Sequence, residues 1–400
     1  MVRASRALLL IAALSCFTAR AFADDAQMPY GEPRETLIPG NPGMPGGIHV
    51  MINAFAHLES TGLGNTVPLL TDDWAMLYGR DKRGWIEGTL MLNFEPLTVG
   101  AAGYPELGQS GEGLWDAQHS HQFLHQAMVA VHPLANIWGP GALHDLSIFA
   151  GQGSATIGPP IFMHRASSPG PTVPRKHHKG ENPHETFPVI GMSYRENDTI
   201  FEFSAFSALE LVPEDSRFHP YVGAPVSGAA RVRHVINHFL ELQISGEHLH
   251  DQGHGASDTS QVSASAYLWR EVKHWRMDAL LDYALDAPEE GDASQAVLGE
   301  FALRSPNRRE TFWLRSEFNQ REERNDTVSS PWFFQTFGYE HVLFVTSGLQ
   351  LGLFAEATAV AIPSSLQSFY GHDAAFTFNI GLHLFGMWMS MPGMPTGMKM

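Results

Sequence analysis

The chain has 400 residues, with 42 acidic side chains against 25 Lys or Arg, so its formal net charge is −17 at pH 7. A chain this acidic lacks the basic surface that nucleic-acid binding requires, and nucleic acid is therefore excluded as a partner. The single cysteine, Cys16, cannot support a disulfide framework.

The first 23 residues have the pattern of a secretory signal peptide. Arg3 and Arg6 precede the apolar run ALLLIAALSCF, and the sequence AFA at Ala21–Ala23 follows it, with the small residues at its first and third positions. Cleavage after Ala23 would remove Cys16, leaving an exported protein without a thiolate ligand. Residues 24–48, which include GEPRETLIPGNPGMPGG, are rich in Pro and Gly and predict an unstructured lead-in.

From about residue 75 onward, segments of about ten residues alternate between apolar and polar side chains. Residues 276–286, RMDALLDYALD, and 310–319, ETFWLRSEFN, are examples. Successive side chains of a strand point to opposite faces, so the pattern indicates a sheet that is wet on one side and apolar on the other. The charged residues predicted to share the wet face are Arg276, Asp278, Asp282, Arg315 and Glu317.

Two architectures produce this alternation, a soluble β-sandwich and a transmembrane β-barrel. Sandwich strands commonly have about five or six residues, whereas strands that cross an outer membrane run about 9–11 residues around a polar lumen. The longer segments favour an all-β, antiparallel transmembrane barrel over residues 49–388, with about twelve strands. Long loops are expected near 152–183 and 208–228 on the extracellular side, and a Met-rich tail at 389–400.

Two groups of histidines are candidate metal sites. In WDAQHSHQFLHQ, residues 115–126, His119, His121 and His125 follow Asp116 within ten positions. Imidazole and carboxylate suit copper or zinc. On a strand, His119 and His121 would point the same way, whereas a helix would pair His121 with His125. Histidines that merely line a wet lumen remain the alternative.

The second histidine group and the C-terminal methionines extend the same hypothesis. The segment EHLHDQGHG contains His248, His250 and His254, and reads as a hairpin loop. Thioethers select Cu(I), so the methionines crowded at the C-terminus are candidate copper ligands, with an inert tail as the alternative. The methionines proposed as ligands are Met389, Met391 and Met394.

Five ordered blocks carry a resemblance to a known family. They are NFEPLTVGAAGYPELGQSGE (93–112), DAQHSHQFLHQ (116–126), GPPIFMHRAS (158–167), PRKHH (174–178) and HETFPVIGMSYR (184–195). Together they resemble uncharacterised proteobacterial outer-membrane barrel proteins that carry a signal peptide and are often found beside copper-handling proteins. The resemblance implies an outer-membrane location, lipid contact and periplasmic copper-handling partners. The family's usual Asp after the second histidine is replaced by Gln122.

Three functions follow from these patterns. The first is an outer-membrane barrel that binds or passes a transition metal such as copper. The second is a general porin or structural barrel without a metal role. The third is a secreted metal-dependent hydrolase on a β-sandwich, which is disfavoured because HQFLH has Gln122 where the HExxH motif supplies a general base.

Overall fold

The computed structural model describes residues 48–61, 66–94, 123–135, 144–159, 170–172, 186–208, 223–237, 239–250, 258–322, 329–346 and 348–390. Sixteen strands and one short helix make up this part of the chain. The elements are β1 (Ile48–Thr61), β2 (Thr66–Arg80), β3 (Ile86–Asn93), β4 (Leu124–Val131), β5 (His144–Gly153), β6 (Thr186–Glu196), β7 (Thr199–Phe206), β8 (Ser227–Ile236), β9 (Leu240–Leu249), β10 (Thr259–Val272), β11 (Trp275–Pro288), β12 (Ser294–Arg304), β13 (Glu310–Glu322), β14 (Ser329–Thr346), β15 (Leu349–Ala361), α1 (Gln367–Tyr370) and β16 (Ala374–Ser390).

The strands form one closed antiparallel barrel. Each strand pairs with the next in sequence, and β16 pairs with β1 from Ile48↔Ser390 to Thr61↔Thr377. The barrel prediction is therefore confirmed, but the count of about twelve strands is wrong. The alternation is weak where apolar residues also face inward, as Met51 and Phe55 do in β1 and Met128 does in β4, so such strands are poorly marked in the sequence.

The two faces of the barrel wall differ in polarity. In β13, Phe312 and Leu314 are exposed on the outside, while Trp313, Arg315 and Glu317 are buried on the inside. A single-layered wall leaves its outward side chains uncovered, and these are mainly large apolar residues across the described strands. Such a surface needs lipid around it. The closed barrel rules out the β-sandwich on which the hydrolase hypothesis depended.

No helix in the described ranges is long and apolar enough to cross a membrane. The connections at the two ends of the barrel differ in length. At the short-turn end, which also holds the start of β1 and the end of β16, several hairpins turn within two or three residues. At the other end, the long-loop end, residues 154–185 join β5 to β6 and residues 207–226 join β7 to β8.

Local turn chemistry fixes several of the short hairpins. Lys273 and His274 both have positive φ, 52° and 67°, as the two central residues of a type I′ hairpin turn require. In the β2–β3 turn, the Asp81 carboxylate accepts hydrogen bonds from the backbone N–H groups of Trp85 at 2.5 Å and Ile86 at 3.0 Å. Partial burial alone would raise the pKa of Asp81, but these hydrogen bonds lower it below its usual value.

The outward face generates a direct prediction. Leu314 is 45% exposed on β13, and replacing it with Arg places a charge against acyl chains. We expect Leu314→Arg to lower the free energy of unfolding in lipid vesicles by about 2–4 kcal/mol. The measurement is denaturant titration, with Glu290→Arg, in the exposed β11–β12 turn, as the control. Equal stability of both variants and the unsubstituted protein would contradict a lipid-facing Leu314.

Candidate functional site: the barrel lumen

The inner wall of the barrel carries a large excess of acidic side chains. Because outward residues of the wall are exposed, buried charged residues of the strands face the lumen. Among the described residues, four arginines are buried, namely Arg80, Arg231, Arg233 and Arg315. The buried acids number thirteen: Glu59, Asp73, Glu87, Asp145, Glu202, Glu241, Glu247, Asp278, Asp282, Glu300, Glu317, Glu340 and Glu356.

Two described parts of the connection between β5 and β6, called the crossing segment below, contact the inner wall at different places around the barrel. Its first part contacts the wall at β7 and β9, where the N–H of Thr156 donates to Ser204 Oγ at 3.0 Å and the N–H of Gly158 donates to Ser245 Oγ at 2.9 Å. Its later part contacts β15, where the N–H of Thr172 donates to Glu356 Oε1 at 3.2 Å. A long loop was expected here on the extracellular side, but both described parts, 154–159 and 170–172, contact the inner wall and so occupy part of the lumen.

A four-residue ion network anchors the first part of this crossing segment. Arg231 on β8 binds Glu202 on β7 through two hydrogen bonds, Nε–Oε2 at 2.7 Å and Nη2–Oε1 at 3.0 Å. Arg231 Nη1 also donates to the carbonyl oxygen of Gly158 at 3.1 Å. Arg233 lies between Glu202, at 3.2 Å, and Glu241, at 3.8 Å. Two arginines therefore neutralise two acids here and hold a backbone carbonyl.

A second arginine centre anchors the later part. Arg315 on β13 is fully buried and donates to Glu300 Oε2 at 2.9 Å and to the carbonyl oxygen of Thr172 at 2.6 Å. Glu317 and Glu356 also act electrostatically on Arg315. Glu356 further accepts hydrogen bonds from Trp313 Nε1, at 2.9 Å, and from the Thr172 hydroxyl. One guanidinium therefore faces three carboxylates, leaving this region net negative.

Two histidine centres lie towards the short-turn end. His383 on β16 bridges Glu340 Oε1 and Asn53 Oδ1, each at 2.8 Å, and its ring stacks on Phe55 with centroids 4.2 Å apart. This contact joins β14, β16 and β1 across the closure of the barrel. Both ring nitrogens of His383 therefore contact side chains of other strands, so that His383 links these strands of the wall.

The second centre is formed by His132, which follows the last residue of β4. Its ring nitrogens face Asp145 Oδ2 at 2.9 Å and Glu87 Oε2 at 3.3 Å. Burial of the ring alone would lower the pKa of His132, but these two carboxylates hold it above its usual value. The protonated ring therefore ties β3 to β5.

The first predicted metal group lies mostly outside the described residues, since Asp116, His119 and His121 are not among them. His125 is described, and it is a buried residue of β4. The register places Gln126 opposite Met91 and Leu124 opposite Leu92, so His125 is the extra residue of a β-bulge. His125 lies in a strand, not in the helix that would have paired it with His121.

The second predicted metal group is partly described. His250 Nδ1 lies 2.5 Å from Asp258 Oδ2, and His248 Nε2 lies 3.8 Å from the same atom. Both histidine side chains are about half exposed, at 52% and 51%. Within the described ranges, no group of three or more His, Cys, Asp or Glu is arranged to hold a metal ion. His254 lies outside these ranges.

Of the predicted methionine ligands, Met389 pairs in backbone register with His49 at the end of β16. The remaining two, Met391 and Met394, lie outside the described residues.

The five predicted wet-face charges lie on the inner side of β11 and β13. Asp278 accepts hydrogen bonds from Tyr267 at 2.8 Å and Arg276 at 2.9 Å, and Asp282 accepts one from Ser263 at 3.1 Å. Sequence reasoning missed the Glu202–Arg231 network and the lumen-crossing segment. The alternation in RVRHVI, residues 231–236, places Arg231 on the polar face of its strand, but no adjacent residue indicates that Glu202 is its partner.

Comparisons with known proteins show the fold. No protein-family model and no curated protein matches the chain. Among solved structures, a loop-deletion mutant of the outer-membrane protein OmpT of Vibrio cholerae is 11% identical, with a TM-score of 0.52 over 86% of this chain and 100% of that one. An anion-selective porin from Comamonas acidovorans is 12% identical, with a TM-score of 0.50 over 84% of this chain and 99% of that one. The chain thus has a porin-type barrel fold.

The Arg315 centre predicts a large loss of stability when its charge is removed. In Arg315→Met, three carboxylates would remain in the wall without their cation, and Thr172 would lose its anchor. Breaking a buried pair by removing one partner costs about 3–5 kcal/mol. We expect a loss of this size in denaturant titrations. Arg270→Met, on an exposed side chain, is the control, and a loss no larger than the control's would contradict the assignment.

The His132 centre predicts a pH-dependent stability. Because the folded-state pKa is raised, the stabilisation is complete below the unfolded-state value of about 6.5 and is lost as pH rises through the folded-state pKa. The difference in unfolding free energy between the unsubstituted protein and His132→Gln should therefore be largest near pH 6, at about 1.5–3 kcal/mol, and shrink in alkali. His274→Gln, in an exposed turn, should show no such trend. A difference that grows with pH would overturn the account.

Proposed function

We propose that the protein is a porin-type outer-membrane barrel whose narrow lumen prefers small cations. The observation that carries this proposal is the excess of thirteen buried acids over four buried arginines on the described inner wall. In a confined passage with low-dielectric walls, a surplus of negative charge attracts cations and repels anions. The general-porin alternative raised by the sequence is thus favoured over its metal-specific competitor.

The outer membrane is the proposed location. The apolar outward face, the closed wall without free edges and the signal-like residues 1–23 all support it. Bacterial barrels place short turns on the periplasmic side and long loops outside. The β2–β3 and β10–β11 turns would then be periplasmic, and the β7–β8 connection would face the medium.

The crossing segment limits what can pass. One of its described parts contacts Ser204 and Ser245, and the other contacts Arg315 and Glu356 elsewhere on the inner wall. Backbone held at both places against the inner wall occupies part of the passage, which favours ions and small solutes over large molecules. We therefore assign selectivity to both charge and size.

Transition-metal binding or passage remains a second proposal, and it rests on the sequence. It is supported by His119 and His121, by the C-terminal methionines, and by the resemblance to barrels found beside copper-handling proteins. Those periplasmic proteins would be its partners, with copper or zinc as the ion. Copper and zinc titrations of the refolded protein, compared with His119→Ala/His121→Ala, test this proposal. Equally weak binding in both proteins would remove it.

Cation preference has a direct electrical test. In a planar bilayer with unequal KCl concentrations, we expect a reversal potential of the sign that K⁺ preference gives. The preference should weaken at high salt, because the screening length falls from about 10 Å at 0.1 M to about 3 Å at 1 M. Asp282→Asn/Glu317→Gln should reduce it, whereas Glu271→Gln, on an exposed side chain, should not. Anion preference, or a membrane without conductance, would overturn the proposal.

A further inference from the structure

One region of the outer wall forms a groove. Its floor is made by four small outward residues, Ala205 on β7, Gly228 and Ala230 on β8, and Gly246 on β9. The register pairs Ala205 with Gly228 and Ala230 with Gly246, so the four lie side by side. This depression, called the outer groove below, has a volume of about 930 Å³. Sites that hold small organic ligands have volumes of about 300–1,000 Å³.

Large apolar side chains border the outer groove on both sides. Ile190 on β6 and Phe203 on β7 are each 50% exposed on one side, and Val262 on β10 is 45% exposed on the other. The floor residues carry at most a methyl group, so the groove is as deep as the side chains that border it. Towards the middle of the wall, the next outward pair is Val232 and Ile244, whose larger side chains end the floor.

The outer groove is continuous with the apolar surface that faces lipid. Its outward lining residues are apolar apart from His248 and Ser260. An empty groove would leave the apolar groups without dispersion contacts on one side, and water in it would lack polar partners. An aliphatic chain from the surrounding membrane supplies those contacts, so a lipid is the occupant that this surface favours.

A histidine stands at the long-loop edge of the outer groove. His248 is the last outward residue of β9 and is about half exposed. Its Nδ1 lies 3.1 Å from Ser260 Oγ, whereas its Nε2 lies 3.8 Å from Asp258 Oδ2, which is beyond hydrogen-bond distance. When Nδ1 accepts from the Ser260 hydroxyl, the ring carries its proton on Nε2. That N–H is then placed to donate to a phosphate oxygen of a lipid headgroup.

We propose that the outer groove binds one phosphate-bearing membrane lipid, with an acyl chain on the floor of small residues and the phosphate at His248 Nε2. The chain runs from the long-loop edge towards Val232 and Ile244, so the polar end of the lipid meets the polar end of the groove. The site lies on the outside of the wall and does not depend on the proposed cation preference. It rests only on the outward face being in lipid.

Lipid titration of the delipidated, full-length protein in detergent tests the chain part of the site. Native mass spectrometry should show saturable binding of one phosphatidylglycerol. Gly228→Leu/Gly246→Leu fills the floor and should lower the affinity about tenfold, or about 1.4 kcal/mol. A Cβ added at Gly228 or Gly246 meets only a carbonyl oxygen, at 3.7 or 3.5 Å, so this variant should fold. Gly299→Leu, on the outward face of β12, has similar space at 3.9 Å and should bind normally.

A second comparison tests the phosphate contact. His248→Phe keeps a ring at the edge of the groove but removes the Nε2 donor, and should lower the phosphatidylglycerol affinity about tenfold. His234→Phe is the matched control, because the outward His234 of β8 also has its Nδ1 beside a hydroxyl, Thr199 Oγ1 at 2.9 Å, but lies at the short-turn end. Diacylglycerol, which has the same chains without the phosphate, should bind the unsubstituted protein and His248→Phe equally weakly.

The outcomes separate this site from its alternatives. Heat-modifiable gel mobility verifies folding, and Ala230→Leu replaces the double variant if that one does not fold. Unsaturable phosphatidylglycerol binding, unchanged binding in Gly228→Leu/Gly246→Leu or in His248→Phe, or equal affinity for diacylglycerol would overturn the site. A changed number of chains per particle in Gly228→Leu/Gly246→Leu would also overturn it, because the groove would then bind a second copy.

The lipid site and the porin proposal fail independently. If phosphatidylglycerol binds as expected but bilayers show no conductance, the site stands and the porin proposal fails. If bilayers are cation-selective but the lipid does not bind in this way, only the site is lost.

Discussion

Everything in this structure depends on pairing β1 with β16. In a bilayer, an unpaired backbone N–H or C=O costs several kcal/mol, and an open sheet would expose two rows of them. The pairing runs over the whole of β1, from Ile48↔Ser390 to Thr61↔Thr377, and removes both edges. Closure also gives every strand one face towards lipid and one face towards the lumen. The polar side chains, which alternate with the apolar ones, therefore interact with one another inside the barrel.

On the described inner wall, the buried acids outnumber the buried arginines, and this imbalance supports the proposed function. Arg231 and Arg315 bind acids of neighbouring strands and, at the same time, carbonyl groups of the crossing segment. The same two guanidinium groups thus bind the wall strands together and hold the described parts of the crossing segment inside the lumen. The surplus of buried acids over buried arginines makes the described inner wall negative overall. In the proposed function, one distribution of charge serves two ends: the arginines hold the crossing segment, and the surplus of acids sets the cation preference.

The sequence predicts the faces of strands better than their partners. Alternation in residues 276–286 is enough to place Asp278 and Asp282 on the inner face, because side-chain direction is local. It is weaker in β1 and β4, where Met51 and Met128 place apolar side chains on the inner face among the polar ones. The contact of Arg231 with Glu202 depends on how β8 pairs with β7. The contacts of Thr172 with Arg315 and Glu356 depend on where the crossing segment meets strands far away in the sequence. No local sequence pattern encodes such long-range contacts, so the roles of Arg231 and Arg315 could not be predicted from the residues adjacent to them in the sequence.

Disulfide trapping across the closure tests the central claim most directly. Val50 and Trp388 are directly paired between β1 and β16, and both are exposed on the outside. In the vesicle-inserted protein, Val50→Cys/Trp388→Cys, made in a Cys16→Ser background, should form an intramolecular disulfide in high yield on mild oxidation. Val50→Cys/Val272→Cys, with its second cysteine on β10, should not. Failure of the first pair to cross-link, or equal cross-linking of both, would contradict a barrel closed between β1 and β16.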